Sequence, residues 1–188
     1  MHSTRLLARC TRRALHSCVV VAALTAAGCA GTAPRPEFSH TSTVVRLAAA
    51  DAVEVSVTAA GNAQVLPEEQ TRLAQKIKLR IDNRKLAHQL PGDARNFELD
   101  LQLSRYQRGN AFARAMLAGL GQIHIEGKVR LYQMPAHELV TEFDLAKTFA
   151  WGGIYGASTS IEDIENSFAD GVAAAITDEQ PAKPKQGT

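Results

Sequence analysis

Three stretches in the second half of the chain alternate large apolar and polar side chains, and this alternation limits the fold more than any other feature. Phe97, Leu99, Leu101 and Leu103 share one parity in the first; Ile123, Ile125, Val129 and Leu131 share one in the second; Leu139, Thr141, Phe143 and Leu145 share one in the third. Successive side chains of a strand point to opposite sides, so each stretch reads as a strand with one buried face. A smaller version comes earlier, where Val53, Val55 and Val57 alternate with Glu54, Ser56 and Thr58. A sheet with one apolar face needs a cover.

Two amphipathic segments supply it. Pro67 predicts a helix running to about Ala87, with Glu68 and Glu69 in its first turn and Lys76, Lys78, Arg80, Arg84 and Lys85 farther along, as the helix dipole favours. Its expected buried stripe is Leu66, Leu73, Ile77 and Ile81, interrupted by Gln70. The last helix is expected to begin at Thr159 or Ser160, capped with Glu162 or Asp163 three residues on, and Ile161, Ile164, Phe168, Val172 and Ile176 then form one stripe. Met134-Pro135-Ala136-His137 is a short connection that predicts an antiparallel hairpin of the last two strands. The fold class expected is therefore an α/β (α+β) two-layer sandwich in the order β-α-β-β-β-α, with a mixed sheet of about four strands and two helices on one face. The opposite face would carry Glu54, Glu98, Asp100, Glu126, Glu142 and Asp144 against Lys128 and Arg130, an open acidic surface.

Ahead of this unit, residues 1–28 have the three parts of an export signal: Arg5, Arg9, Arg12 and Arg13, an apolar stretch through Val19, Val20, Val21, Ala22, Ala23 and Leu24, and the small residues Ala26, Ala27 and Gly28. The apolar stretch is about 10 residues, half of what a membrane-spanning helix needs. Leu24-Thr25-Ala26-Ala27-Gly28-Cys29 resembles the bacterial lipobox, with Ala26 where that pattern prefers a branched residue; the resemblance implies a lipidated Cys29 as first mature residue. Cys10 and Cys18 lie inside the signal, which leaves Cys29 alone and no intramolecular disulfide. Ala30, rather than Asp, follows Cys29, which favours sorting to the outer membrane over the inner.

Residues 29–43 read as the lipidated cysteine and a flexible tether, with Pro34 and Pro36 among Ser and Thr. Such a tether reaches at most about 45 to 50 Å and would let the domain stand clear of the headgroups. The domain is assigned to 44–177 and a disordered tail to 178–188. The formal charge of +2 belongs to the signal: removing its four arginines from 21 basic residues leaves 17 against 19 acidic ones. A slightly acidic mature chain has no global attraction to nucleic acid.

The connector Gly109-Asn110-Ala111-Phe112-Ala113-Arg114-Ala115-Met116-Leu117-Ala118-Gly119-Leu120-Gly121 is long for a hairpin. It resembles the corresponding Gly-Asn, Ala, Arg and Gly-x-Gly connector of bacterial lipoproteins grouped as domain-of-unknown-function family 4410. Trp151-Gly152-Gly153-Ile154-Tyr155-Gly156 before a terminal helix is similar to that family as well. The resemblance spans about residues 50–177 and implies a small α/β envelope domain. It implies no activity, catalytic residue or cofactor.

Candidate chemistry is sparse. The connector either cradles an anion beside Arg114 or forms a short amphipathic turn packed on the sheet; it has neither a phosphate-loop ending nor dinucleotide spacing. His124 and Glu126 share a strand face as a metal or proton-transfer pair, or as a solvated cross-strand pair. Ser158 and Ser160 lack a nucleophile motif. Trp151 and Tyr155, in a glycine-rich loop, are candidate partner contacts, or else seal the core with Phe149. The reading is a membrane-anchored lipoprotein, not an enzyme, without metal or cofactor beyond the lipid on Cys29, which binds another envelope protein during envelope assembly or maintenance. The alternative is a periplasmic ligand-binding protein or enzyme with a site near residues 109–121. A third class is a self-associating structural lipoprotein, and the oligomeric state is left open.

Overall fold

In the computed structural model, which describes residues 34–41, 46–61, 63–117, 120–151 and 153–178, the alternating segments become strands where the pattern places them. Their labels here are β1 (Glu37–Thr41), β2 (Ala52–Ala59), β3 (Asn96–Gln107), β4 (Ile123–Met134) and β5 (Glu138–Phe149). The helices are α1 (Pro67–His88), α2 (Ala111–Met116), α3 (Gly153–Ser158) and α4 (Ile161–Thr177). One sheet holds all five strands in the order β1-β5-β4-β3-β2. The β3-β4, β4-β5 and β5-β1 pairs are antiparallel, whereas β2 and β3 are parallel and joined through α1. A parallel pair needs a crossover long enough to return the chain, and the 22 residues of α1 provide it.

The apolar parity of each strand meets the helices except at Leu139, which a register shift sets opposite Tyr132 while Val140 is buried instead. Phe97, Leu99, Leu101 and Leu103 of β3, Ile123, Ile125, Val129 and Leu131 of β4, and Phe143 and Leu145 of β5 are buried against Leu73, Ile77 and Ile81 of α1 and Ile164, Phe168, Val172 and Ile176 of α4. Both long helices lie side by side on this face, α1 over β2 and α4 over β4 and β5. Ser160 caps α4: its hydroxyl accepts from the Asp163 N–H at 3.2 Å, and the Asp163 carboxylate accepts from the Ser160 N–H at 2.8 Å. Leu66 leaves the expected α1 stripe and is half exposed, because it is the N-cap and lies ahead of the first buried turn.

Two expectations about the architecture are corrected. The sheet has five strands rather than about four, since Glu37–Thr41, expected in the flexible tether, pairs with β5 in the register Glu37↔Asp144 to Thr41↔Thr141. Phe38 supplies the apolar contact, its ring 5.2 Å from that of Phe143, and the ladder does the rest. There are four helices among the described residues rather than two: the connector after β3 and the glycine-rich segment after β5 each form six helical residues. Residues 1–33 and 179–188, with the expected signal, Cys29, the start of the tether and most of the tail, lie outside the described residues.

Candidate functional site

The two connectors meet at one end of the sheet, and Arg114 holds them together. α2 starts at Asn110, whose side-chain oxygen accepts from the Ala113 N–H at 3.0 Å. The loop closes where the Asn110 N–H donates to the Gly121 carbonyl at 3.1 Å. Gly109 and Gly121 both have positive φ, 68° and 70°, and a Cβ on Gly121 would stand 2.4 Å from the Asn110 carbonyl oxygen, so only glycine fits this closure. From α2 the Arg114 guanidinium reaches inward, 3% exposed, and donates to the carbonyls of Gly156 at 2.7 Å, Gly121 at 2.9 Å and Thr159 at 2.9 Å. A buried guanidinium engaged with three backbone carbonyls ties α2 to α3 and to the start of α4. An anion at Arg114 would have to compete with those carbonyls.

Outside this tie the same end is apolar. Phe112 is 75% exposed, Met116 68%, Leu117 53%, Leu120 57%, Trp151 49% and Ile154 89%. The two helices pack on each other, so these side chains share one end of the domain. The side chain of Tyr155, the other expected contact, lies outside the described residues.

The open sheet face carries the expected charges in cross-strand rows. Arg130 of β4 pairs with Glu142 of β5 at 2.8 Å, and Lys128 with Asp144 at 2.9 Å. Hydrogen bonds from Arg130 and Ser39 hold the Glu142 carboxyl below its ordinary range. Ser56 of β2 donates to Asp100 of β3, and His137 stacks on Tyr132 with ring centroids 4.1 Å apart. His124 and Glu126 do come together, Nε2 to Oε2 at 3.2 Å, with Thr148 2.6 Å from His124 Nδ1. Among the described residues no group of three or more His, Cys, Asp or Glu is arranged to hold a metal. Two shallow clefts of about 460 and 510 Å³ run along β2, one between Val55 and Ala74, the other beside Asn96 and Met134. Neither is lined by the 109–121 connector.

Sequence reasoning missed one polar cluster. Glu165 of α4 is fully buried and accepts from Arg72 and Lys76 of α1 and from the Tyr106 hydroxyl at 2.7 Å. Burial pushes its carboxyl up, but those three donors outweigh burial and hold it below the ordinary value; burial and the same carboxylate raise the Tyr106 hydroxyl. The position falls between Ile164 and Phe168 on a helix, where spacing alone gives no sign of partners on two other elements.

Fold and surface together define a two-layer α+β domain with one helix-covered face, one open charged face and one apolar end. Two solved structures of the PelC dodecamer from Paraburkholderia phytofirmans, one of them a point variant, share this fold. The variant is 12% identical with a TM-score of 0.51, covering 77% of this chain and 97% of that one. The other is 10% identical with a TM-score of 0.50, covering 78% and 98%. At such identities the likeness is one of fold alone. No family model matches the chain and no curated protein matches it, so the likeness of its connectors to family 4410 stays a resemblance. No helix among the described residues is long and apolar enough to cross a membrane.

Proposed function

We propose that this chain is a bacterial envelope lipoprotein, exported by residues 1–28 and anchored through lipid on Cys29, whose domain binds another envelope protein from the periplasmic side of the outer membrane. The observation that carries the reading is the face of the sheet that no helix among the described residues covers. Its three long strands and two shorter edges offer roughly 20 by 35 Å, on the order of 700 Å², at ordinary strand spacings. Each partner in a standard interface contributes about 800 Å². Lys128 and Arg130 are paired with Asp144 and Glu142, so the charge this face presents beyond them is that of Glu54, Glu98, Asp100 and Glu126 against Arg105, which stands opposite Glu126, with His124 beside Glu126 and His137 near Glu98. Its complement is a basic protein surface.

In-cell crosslinking and affinity capture of the lipidated protein test this, run beside a Glu54→Lys/Glu98→Lys variant and a Trp151→Ala/Tyr155→Ala variant, each checked for folding. A partner lost with the charge reversals supports the sheet face; one lost only with the aromatic pair moves the contact to the loop. Capture of nothing by a folded, anchored wild type retires the reading. Cys29→Ser is expected to abolish lipidation and release protein from the membrane, and a variant that stays lipidated and bound removes the anchor assignment.

A second reading is self-assembly. The PelC structures of this fold are dodecamers, and β1 and β2 here are edge strands, each with one neighbour in the sheet. A mass by light scattering that rises with concentration supports it; a constant monomer mass rejects it.

A further inference from the structure

β1 enters the sheet from the side of the apolar end. β1 runs antiparallel to β5, with Glu37 opposite Asp144, so the chain upstream of Glu37 heads toward Phe149, the end that carries the two connectors. Pro34 is seated against Gly171 of α4 and close to Leu145. From Pro34 back to Cys29 is five residues, which reach at most about 18 Å. From Leu145 to Phe149 is about 13 Å of strand. With Glu37–Thr41 paired in the sheet, the long tether expected from the sequence shortens to the residues ahead of Pro34, so Cys29 can stand no more than about 18 Å from Pro34.

That end is built for a lipid surface. Phe112, Met116, Leu117, Leu120, Trp151 and Ile154 are each about half exposed or more. Residues 109–121 and 145–161 contain no Asp or Glu; the acids near them are Glu68, Glu69, Glu162 and Asp163 in the first turns of α1 and α4, of which Glu69 is paired with Arg108 and Asp163 caps its own helix. Keeping acids out of the two connectors limits repulsion from anionic headgroups, and a tryptophan among aliphatic side chains suits the headgroup boundary. We propose that the α2–α3 end of the domain is a membrane-docking surface that seats in the bilayer to which Cys29 is anchored, leaving the open charged sheet face turned sideways toward a partner. The inference rests on the Cys29 anchor proposed above.

Trp151 is the only tryptophan, so its fluorescence reports on this surface alone. The full lipidated chain would be reconstituted in phosphatidylethanolamine/phosphatidylglycerol vesicles whose acyl chains carry bromine, with mass spectrometry confirming the lipid on Cys29. Docking is expected to quench Trp151 by the bromolipids, shift its emission to the blue and shield it from acrylamide. A Phe112→Asp/Ile154→Asp variant, altered at two exposed positions, is expected to stay folded and anchored but to lose the quenching. A lipidated, vesicle-bound wild type whose Trp151 is unquenched and as open to acrylamide as in detergent-free water overturns the proposal. If Cys29 carries no lipid the anchor fails separately, and docking is then judged on the chain added to the same vesicles: quenching sustains it and no quenching ends it.

Discussion

Arg72 of α1 grips Glu165 of α4 with two hydrogen bonds, Nε to Oε2 at 3.0 Å and Nη2 to Oε1 at 2.9 Å, at the seam between the two long helices. The carboxylate has no contact with water and owes its charge to this pairing, to Lys76 at 2.8 Å and to Tyr106. Among the described residues no buried side-chain nitrogen or oxygen lacks a partner, so the cluster is fully satisfied. It fastens α1, α4 and β3 at one point.

Glu165→Gln keeps the shape and removes the charge, leaving two cations facing a neutral amide. We expect a loss of about 2 kcal/mol in unfolding free energy, read from urea or guanidinium titration, since the charge-assisted bonds to the buried carboxylate are lost while Arg72 and Lys76 stay partly open to water. A loss below about 0.5 kcal/mol would show that the cluster is no fastening.

Acid should find the same weak points. Burial opposes the charge on Asp51, Glu69 and Glu165, but hydrogen bonds from Arg95, Arg108 and Arg72 respectively outweigh it, so all three carboxyls sit below their ordinary values. The unfolded chain then takes up protons at a higher pH than the folded one, so stability is full above the ordinary carboxylate range and drains away as pH falls through it. The denaturation midpoint is expected to drop between about pH 5 and pH 3 and to drop less in Glu165→Gln. A midpoint flat across that interval would contradict the assignment.

Arg114→Ala should act locally. Its three carbonyl bonds join segments whose side chains are mostly exposed, so backbone hydrogen exchange is expected to accelerate across 109–121 and 153–159 while β3, β4 and β5 keep their protection. Arg114→Lys should not rescue it, because one ammonium cannot span three carbonyls set in a fork. Uniform acceleration through the sheet would place Arg114 in the global core instead.

Two glycines with positive φ separate conformation from crowding. At Gly61, φ 55°, a Cβ would meet nothing within 4 Å, so Gly61→Ala is expected to cost only the left-handed backbone, about 1 kcal/mol. At Gly121 the same Cβ would stand 2.4 Å from a backbone oxygen, and Gly121→Ala should cost at least about 2 kcal/mol more, by thermal or chemical unfolding. Equal costs would mean that the connector is free to move aside.

Phe38→Ala tests the β1 edge of the sheet. Without its contact to Phe143 the five-residue β1 has the ladder alone, and we expect about 2 kcal/mol of destabilisation confined to that edge. Exchange protection should vanish from β1 and from the edge of β5 facing it while the other strands hold. Loss of cooperativity throughout the domain would mean that β1 is part of the core.

The amino-acid sequence by itself determined the elements whose pattern is local: β2 to β5 from their two-residue alternation, α1 and α4 from their apolar stripes, and a capping box at the start of α4, which the structure settles on Ser160 and Asp163 rather than Thr159 and Glu162. It also determined the open acidic face, because parity on a strand assigns both sides at once. Tertiary structure alone decided that Glu37–Thr41 joins the sheet, since a strand with one large apolar side chain gains its stability from β5, about 100 residues away. It likewise decided that Glu165 finds its partners on α1 and β3, and that Arg114 spends its donors on carbonyls of Gly121, Gly156 and Thr159. Only the fold could bring the exposed side chains of two separate connectors to one end. Periodicity records which way each side chain points along its own segment, whereas pairing, clamping and the making of a surface depend on which distant segments the packed core brings into contact.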